Sequence, residues 1–216
     1  MKTCEYAGVP FTEPRSHPWV DAAGHPDYRY YDLTTTPSHI RSSLEDFQPW
    51  SGHAAIEAFY ALLEEINQPS SAIESNDCAF TGPHDNDQPA FSKALQCSGR
   101  VMVLFRELRR NTVKERIESL KDQLHHELAQ LDRGFPWGMI GTTLIPVRYL
   151  GLADRSEGQL GWQLMISFWA WGDTVADTMA NLGRLFRNLT LALRTVLERS
   201  AVASSRVSPV SPSHRS

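Results

Sequence analysis

Leu160, Trp162, Leu164, Ile166 and Phe168 fall on every second residue, and a few residues later the rhythm changes. Val175, Met179, Leu182, Phe186, Leu189, Leu193 and Val196 recur at steps of four and three. Side chains alternate across a strand and return to one face of a helix at 3.6 residues per turn. The pattern therefore predicts a strand over 160–171 with one strongly buried face, followed by a helix over 173–198 with Asp173 as its N-cap. Each element has one apolar face to bury, which calls for a sheet with helices packed on it.

The same order occurs once before. Val101, Met102, Val103, Leu104 and Phe105 are apolar on both faces, as in a central strand, here placed over 100–108. Thr112 and Glu115 then have the spacing of a capping box. Val113, Ile117, Leu120, Leu124, Leu128 and Leu131 follow at helical spacing, giving a helix over 112–132 that stops at Gly134. A strand over 139–150 is interrupted by Pro146, which cannot donate to a ladder and so marks an edge or bulge there; it pairs with 160–171 across the turn at 151–159. A shorter strand over 72–80 would make the order strand, strand, helix, twice over, although no sequence repeat accompanies it.

The expected fold is α+β: a small antiparallel or mixed sheet with both long helices on one face. Thr36-Pro37 opens a short helix that ends near Pro49. A second begins after Ser51-Gly52 with Ile56, Phe59, Leu63 and Ile66 on one face. Residues 1–35 mix prolines with Tyr6, Phe11, Trp19, Tyr28, Tyr30 and Tyr31, which reads as an extended arm. Arm and short helices are the material left to cover the other sheet face. The domain then spans 36–199, and 200–216, lacking any apolar period, reads as a disordered tail.

With 216 residues, 41% hydrophobic and 21% charged, the chain can bury a real core, and a formal charge of −4 supplies no general basic field for nucleic acid or anionic lipid. No stretch approaches the roughly 18 apolar residues of a membrane span. The N-terminus lacks the apolar run of a secretory signal. Cys4, Cys78 and Cys97 are widely spaced without a CxxC pair, so reduced thiols in a cytoplasm are expected, with no metal site and no cofactor. No Gly-rich phosphate loop and no G-x-S-x-G is present.

Three groups of residues carry candidate chemistry. In the segment 74–97, read as a loop, Glu74, Asp77, Cys78, His84, Asp85, Asp87 and Cys97 bring thiol, imidazole and carboxylate together. Cys78 as nucleophile, His84 as base and Asp85 beside them would make a hydrolase-like site. Arg106, Arg109, Arg110, Lys114 and Arg116 form a basic run that could meet phosphate, and Trp169 and Trp171, with Tyr149, could stack on bases, although interleaved Glu107, Glu115 and Glu118 fit a solvated face better. Leu185, Leu191 and Leu197 lie off the apolar seam of the last helix, which suggests self-association through it, with Leu185 and Leu191 in the contact. His125 and His126 are neighbours on a helix and diverge by about 100°, so they do not converge on one ligand. The reading these observations favour is a non-catalytic protein-binding module, of inhibitor or immunity type, that neutralises or scaffolds another protein. The enzyme and the nucleic-acid binder are its alternatives.

Overall fold

The computed structural model describes residues 1–5, 15–18, 31–88, 90–152 and 158–205, the last six as backbone only. In chain order the elements are β1 (Lys2–Glu5), β2 (Arg15–His17), α1 (His39–Ser42), a 3-10 turn (Glu45–Trp50), α2 (Ala54–Ile66), β3 (Ile73–Asp85) and β4 (Leu95–Phe105). A second 3-10 turn (Leu108–Thr112), α3 (Lys114–Gln130), β5 (Gly138–Tyr149), a third 3-10 turn (Leu150–Leu152), β6 (Gln159–Gly172) and α4 (Val175–Ser205) follow. The expected α+β class holds. The strands form one six-stranded mixed sheet in the order β1-β5-β6-β4-β3, with β2 also on β5. β3 pairs with β4 and β5 with β6, both antiparallel, and β4 and β6 meet in the centre. The strand, strand, helix unit does occur twice.

β3 and β4 are longer at their turn ends than the sequence predicts. Gly82 and Pro83 read as turn residues, yet they sit in a register shift between the Thr81–Ser98 and His84–Gln96 pairs, a bulge in which proline's missing donor costs nothing. The segment 74–97 is thus a hairpin, not a loop. Its turn is organised by Asn86, whose side-chain amide donates to the carbonyls of Gln88, Phe91 and Lys93 while its oxygen accepts from Gln88 N. β4 ends at Phe105, short of the predicted 108. There the buried side chain of Asn111 takes over the ladder, donating to Phe105 O and accepting from Phe105 N, both at 2.8 Å.

Two helix starts differ from expectation by one residue. The capping box at Thr112 does not form, because Thr112 belongs to the 3-10 turn and its hydroxyl donates to Arg109 O. At α4 the cap is Thr174, whose Oγ1 accepts from Asp177 N, while Asp173 pairs with Lys93 at 2.5 Å. At its other end α4 continues to Ser205, beyond the predicted stop. Pro146 behaves as predicted: β1 pairs with 139–142 of β5 and β2 with 147–149, so Pro146 lies opposite neither.

All the helices with a sizeable apolar stripe share one sheet face, which corrects the expectation that the short ones cover the other. α4 lies over β6 and β4 between α2 and α3. One core joins Ile40 and Phe47, Phe59 of α2, Leu120 and Leu124 of α3, Phe186 of α4, and Val101, Ile140 and Phe168 of the sheet. A Cβ on Gly183 would stand 3.2 Å from Ala55 Cα, so the glycine sets how closely α4 approaches α2. Arg194 of α4 grips Glu65 of α2 with two bonds of 2.7 Å, and Arg184 and Arg199 pair with Asp132 and Glu127 on the other side. Of the described parts of the N-terminal arm, β1 and β2 extend the sheet as parallel strands on β5, and Tyr31 and Leu33 join the helix-side core. No helix of the described residues is long and apolar enough to cross a membrane.

Candidate functional site

The sheet face away from the helices carries two small cores, Met102, Ile145 and Met165 near the middle and Leu104, Val147 and Tyr149 at one end. That end is closed in an unexpected way. β2 and β3 stand on opposite sides of the sheet order, yet His17 Nε2 of β2 lies 3.5 Å from Glu74 Oε1 of β3. The sheet therefore curls enough for one side chain from each side of it to meet over this face, without the strands themselves pairing. The His17 ring sits edge-on to Tyr149 with centroids 5.7 Å apart, and the Tyr149 hydroxyl donates to Trp162 O at 2.7 Å. A side chain on β6 beside this ring has no room, since a Cβ on Gly161 would be 2.6 Å from Asn111 O and 2.8 Å from the Tyr149 ring.

Electrostatics at this end follow from burial. Desolvation pushes the His17 imidazole down to about 4, with the Asp32 carboxylate pulling the other way. Burial raises Glu74, with Asp32 adding to the rise and Arg106 opposing it, and burial followed by Glu74 raises Tyr149. Because the folded value of His17 lies below its ordinary 6.5, the stability it contributes is complete above that value and is lost as pH falls from there to about 4. Glu74 acts in the opposite sense: its contribution is present below its ordinary 4.5 and is lost as pH rises through its raised folded value. We expect unfolding free energy to fall on acidification from about pH 7 to about pH 5, and His17→Gln to reduce that slope, the remainder belonging to His125, which burial also lowers. Denaturant melts of both proteins across this range check it; equal slopes would assign the dependence to other groups.

The proposed Cys78–His84 pair is not assembled. Cys78 packs towards the helix-side core, and its thiol is raised well above the ordinary value by burial, then by Asp77, with Arg100 opposing. His84, beyond the bulge, is on the other face beside Gln96: its Nδ1 lies 2.8 Å from Gly82 O and its Nε2 is 3.1 Å from Gln96 Nε2. That pattern places the proton on Nδ1 and leaves Nε2 as acceptor. Gln96 also donates to Asp87 at 2.6 Å, while Asp85 is exposed. Cys97 is buried in the main core and its thiol is raised to about 12 by that burial. A thiolate nucleophile needs a lowered value, so neither cysteine is activated.

The basic run is divided rather than pooled. Arg106 folds back on backbone, its Nη2 donating to Asn67 O at 2.5 Å and its Nε to Ile73 O at 3.3 Å. Arg110 lies over the Phe105 ring, 3.9 Å from its centroid, and Lys114 pairs with Glu118, which leaves Arg109 and Arg116 exposed. Trp171 is fully buried and already stacked on Phe91 at 3.7 Å, so it offers no ring face to a base; Trp169 is half-buried.

On α4, Leu185 is 0% exposed and Leu191 47% exposed. The apolar surface beyond the seam is wide because α4 has a helix on each side as well as the sheet beneath. Leu185 is thus a core residue, and only Leu191 faces outward. Among the described residues no group of three or more His, Cys, Asp or Glu could hold a metal ion. His17 reads in the sequence only as one histidine among prolines and Tyr149 only as a candidate stacking ring; a side-chain contact over so long a separation leaves no local signal. No family model, curated protein or solved structure matches the chain.

Proposed function

We propose that this chain is a non-catalytic protein-binding module that holds another protein, neutralising or scaffolding it as an inhibitor or immunity-type protein does. The observation that carries the reading is the separation of Cys78 and His84 onto opposite faces of the sheet, with the imidazole spent on Gly82 and Gln96. Side chains that could have been reactive serve the hairpin instead. Arg106 and Trp171 are likewise engaged within the fold, which weighs against nucleic-acid binding. All three cysteines are free thiols, as a reducing cytoplasm keeps them.

A second reading, an acid–base enzyme, is favoured by one feature: the buried contact of His17 with Glu74, since imidazole and carboxylate with displaced pKa values are the ordinary tools of proton transfer. Affinity capture with the intact chain as bait, followed by calorimetry with the purified captured protein, separates the two. We expect a stoichiometric complex whose affinity changes by less than about threefold, under roughly 1 kcal/mol, in Cys78→Ser and His84→Ala. Absence of any stoichiometric partner, or turnover by the purified protein that disappears in His17→Gln or Glu74→Gln while the fold persists, would retire the binding module.

A further inference from the structure

β3 is the outer strand of the sheet, with no strand beyond it among the described residues. Such an edge presents unpaired N–H and C=O groups on alternate residues, a template on which another chain can add. The register identifies the outward positions as Ile73 and Ser75, then, past the extra residue Asn76, Cys78, Phe80 and Gly82. At most of these a side chain stands where a neighbouring strand would bond. Ile73 N donates to Ser71 Oγ at 3.3 Å, and Ile73 O accepts from Ser71 Oγ at 2.9 Å and from Arg106 Nε at 3.3 Å. Ser75 N donates to Asn67 Oδ1 at 3.0 Å. Phe80 N donates to Asp46 Oδ2 at 3.3 Å, and Gly82 O lies 2.8 Å from His84 Nδ1. The guarding groups come from separate elements: the 3-10 turn before α2, the end of α2, the turn into β3, the end of β4, and β3 itself.

From this placement we infer that Asp46, Asn67, Ser71 and His84 are edge guards, whose role is to keep β3 from pairing antiparallel with the β3 of a second copy of this chain. The partner excluded is a second copy because two identical antiparallel edges are self-complementary about a twofold axis, so every molecule in solution is a competent partner for every other. The bulges at Asn76 and at Gly82-Pro83 act in the same direction, since they bend the edge away from a straight strand. Asp46 is exposed and makes its bond from outside the core, which suits it to the test. This inference is independent of what the chain binds.

The experiment uses the intact chain and the variants Asp46→Ala, Asp46→Asn and Asp46→Ala/Ser71→Ala. Amide hydrogen exchange at Phe80 should accelerate at least about tenfold in Asp46→Ala and stay near the wild-type rate in Asp46→Asn, whose side-chain oxygen still accepts. Sedimentation equilibrium should show the double variant associating at micromolar concentration, with the Phe80 and Ile73 amides protected again in the associated form, while wild type and Asp46→Asn show no association through β3. If the double variant does not fold, Asp46→Ala alone is read by the same two measurements. Unchanged exchange at Phe80 in Asp46→Ala, a folded double variant with fast exchange that remains monomeric, or a wild-type protein already paired through β3 would each overturn the inference.

Discussion

Phe168→Ala lowers the unfolding free energy by about 3–5 kcal/mol, the range for removing a fully buried aromatic ring. Phe168 is wholly buried at the centre of β6 and lies between sheet and helices, with its ring centroid 4.9 Å from Phe186 and 6.0 Å from Phe59. The opposing residue on β4 is Gly99, and a Cβ there would come within 2.5 Å of the Phe168 ring and 2.3 Å of Ala79 O. Strand backbone on the sheet side of the ring cannot collapse into the space that alanine leaves, so most of the cavity term persists. Urea unfolding with an unchanged m-value measures the loss. A value below about 1 kcal/mol would mean that the ring is not where sheet and helix layers meet.

Asn111→Ala should cost about 2–4 kcal/mol, although it removes only a small side chain. The side chain is fully buried, and its amide satisfies both backbone groups of Phe105 at the point where β4 leaves its partner. Truncation strands a donor and an acceptor together in the interior, each worth about 1–3 kcal/mol when unmet. Asn111→Asp keeps the acceptor but loses the donor and places a charge beside Phe105 O, so it should not restore stability. Thermal melts of both variants decide the matter; an Asn111→Ala protein within about 0.5 kcal/mol of wild type would show that another group takes over the bonds.

Elements with a long, uninterrupted period are legible in the amino-acid sequence alone. β6 and the start of α4 are placed within a residue or two because their apolar positions keep a fixed step and their buried faces oppose each other, whereas α4 runs on past the predicted end to Ser205. The pairing of β5 with β6, and the place of Pro146 opposite neither β1 nor β2, are legible for the same kind of reason: a missing donor has a definite geometric meaning. Cap choice between Asp173 and Thr174 is not, because adjacent residues of similar chemistry compete and only the chain's path selects one. The side on which Cys78 and His84 lie is lost at the Gly82-Pro83 bulge, where one extra residue resets the alternation. Leu185 looks surplus in the sequence because a helix's apolar width says how much it buries and not against how many neighbours. The closure of His17 on Glu74 depends on the curl of a whole sheet, which no window of residues contains.

The placement of β1 and β2 on β5 also sets an order of events. During synthesis Lys2–Glu5 and Arg15–His17 emerge well before the strand that receives them, Gly138–Tyr149. A parallel partner so far along the chain is the slowest kind of contact to close. β1 and β2 must therefore wait, while β3, β4 and α3 can already gather on their own local contacts. Until those first strands arrive, the outer side of β5 is an unpaired edge of the nascent sheet, and the single residue on it that can never donate a hydrogen bond to a stray strand is Pro146.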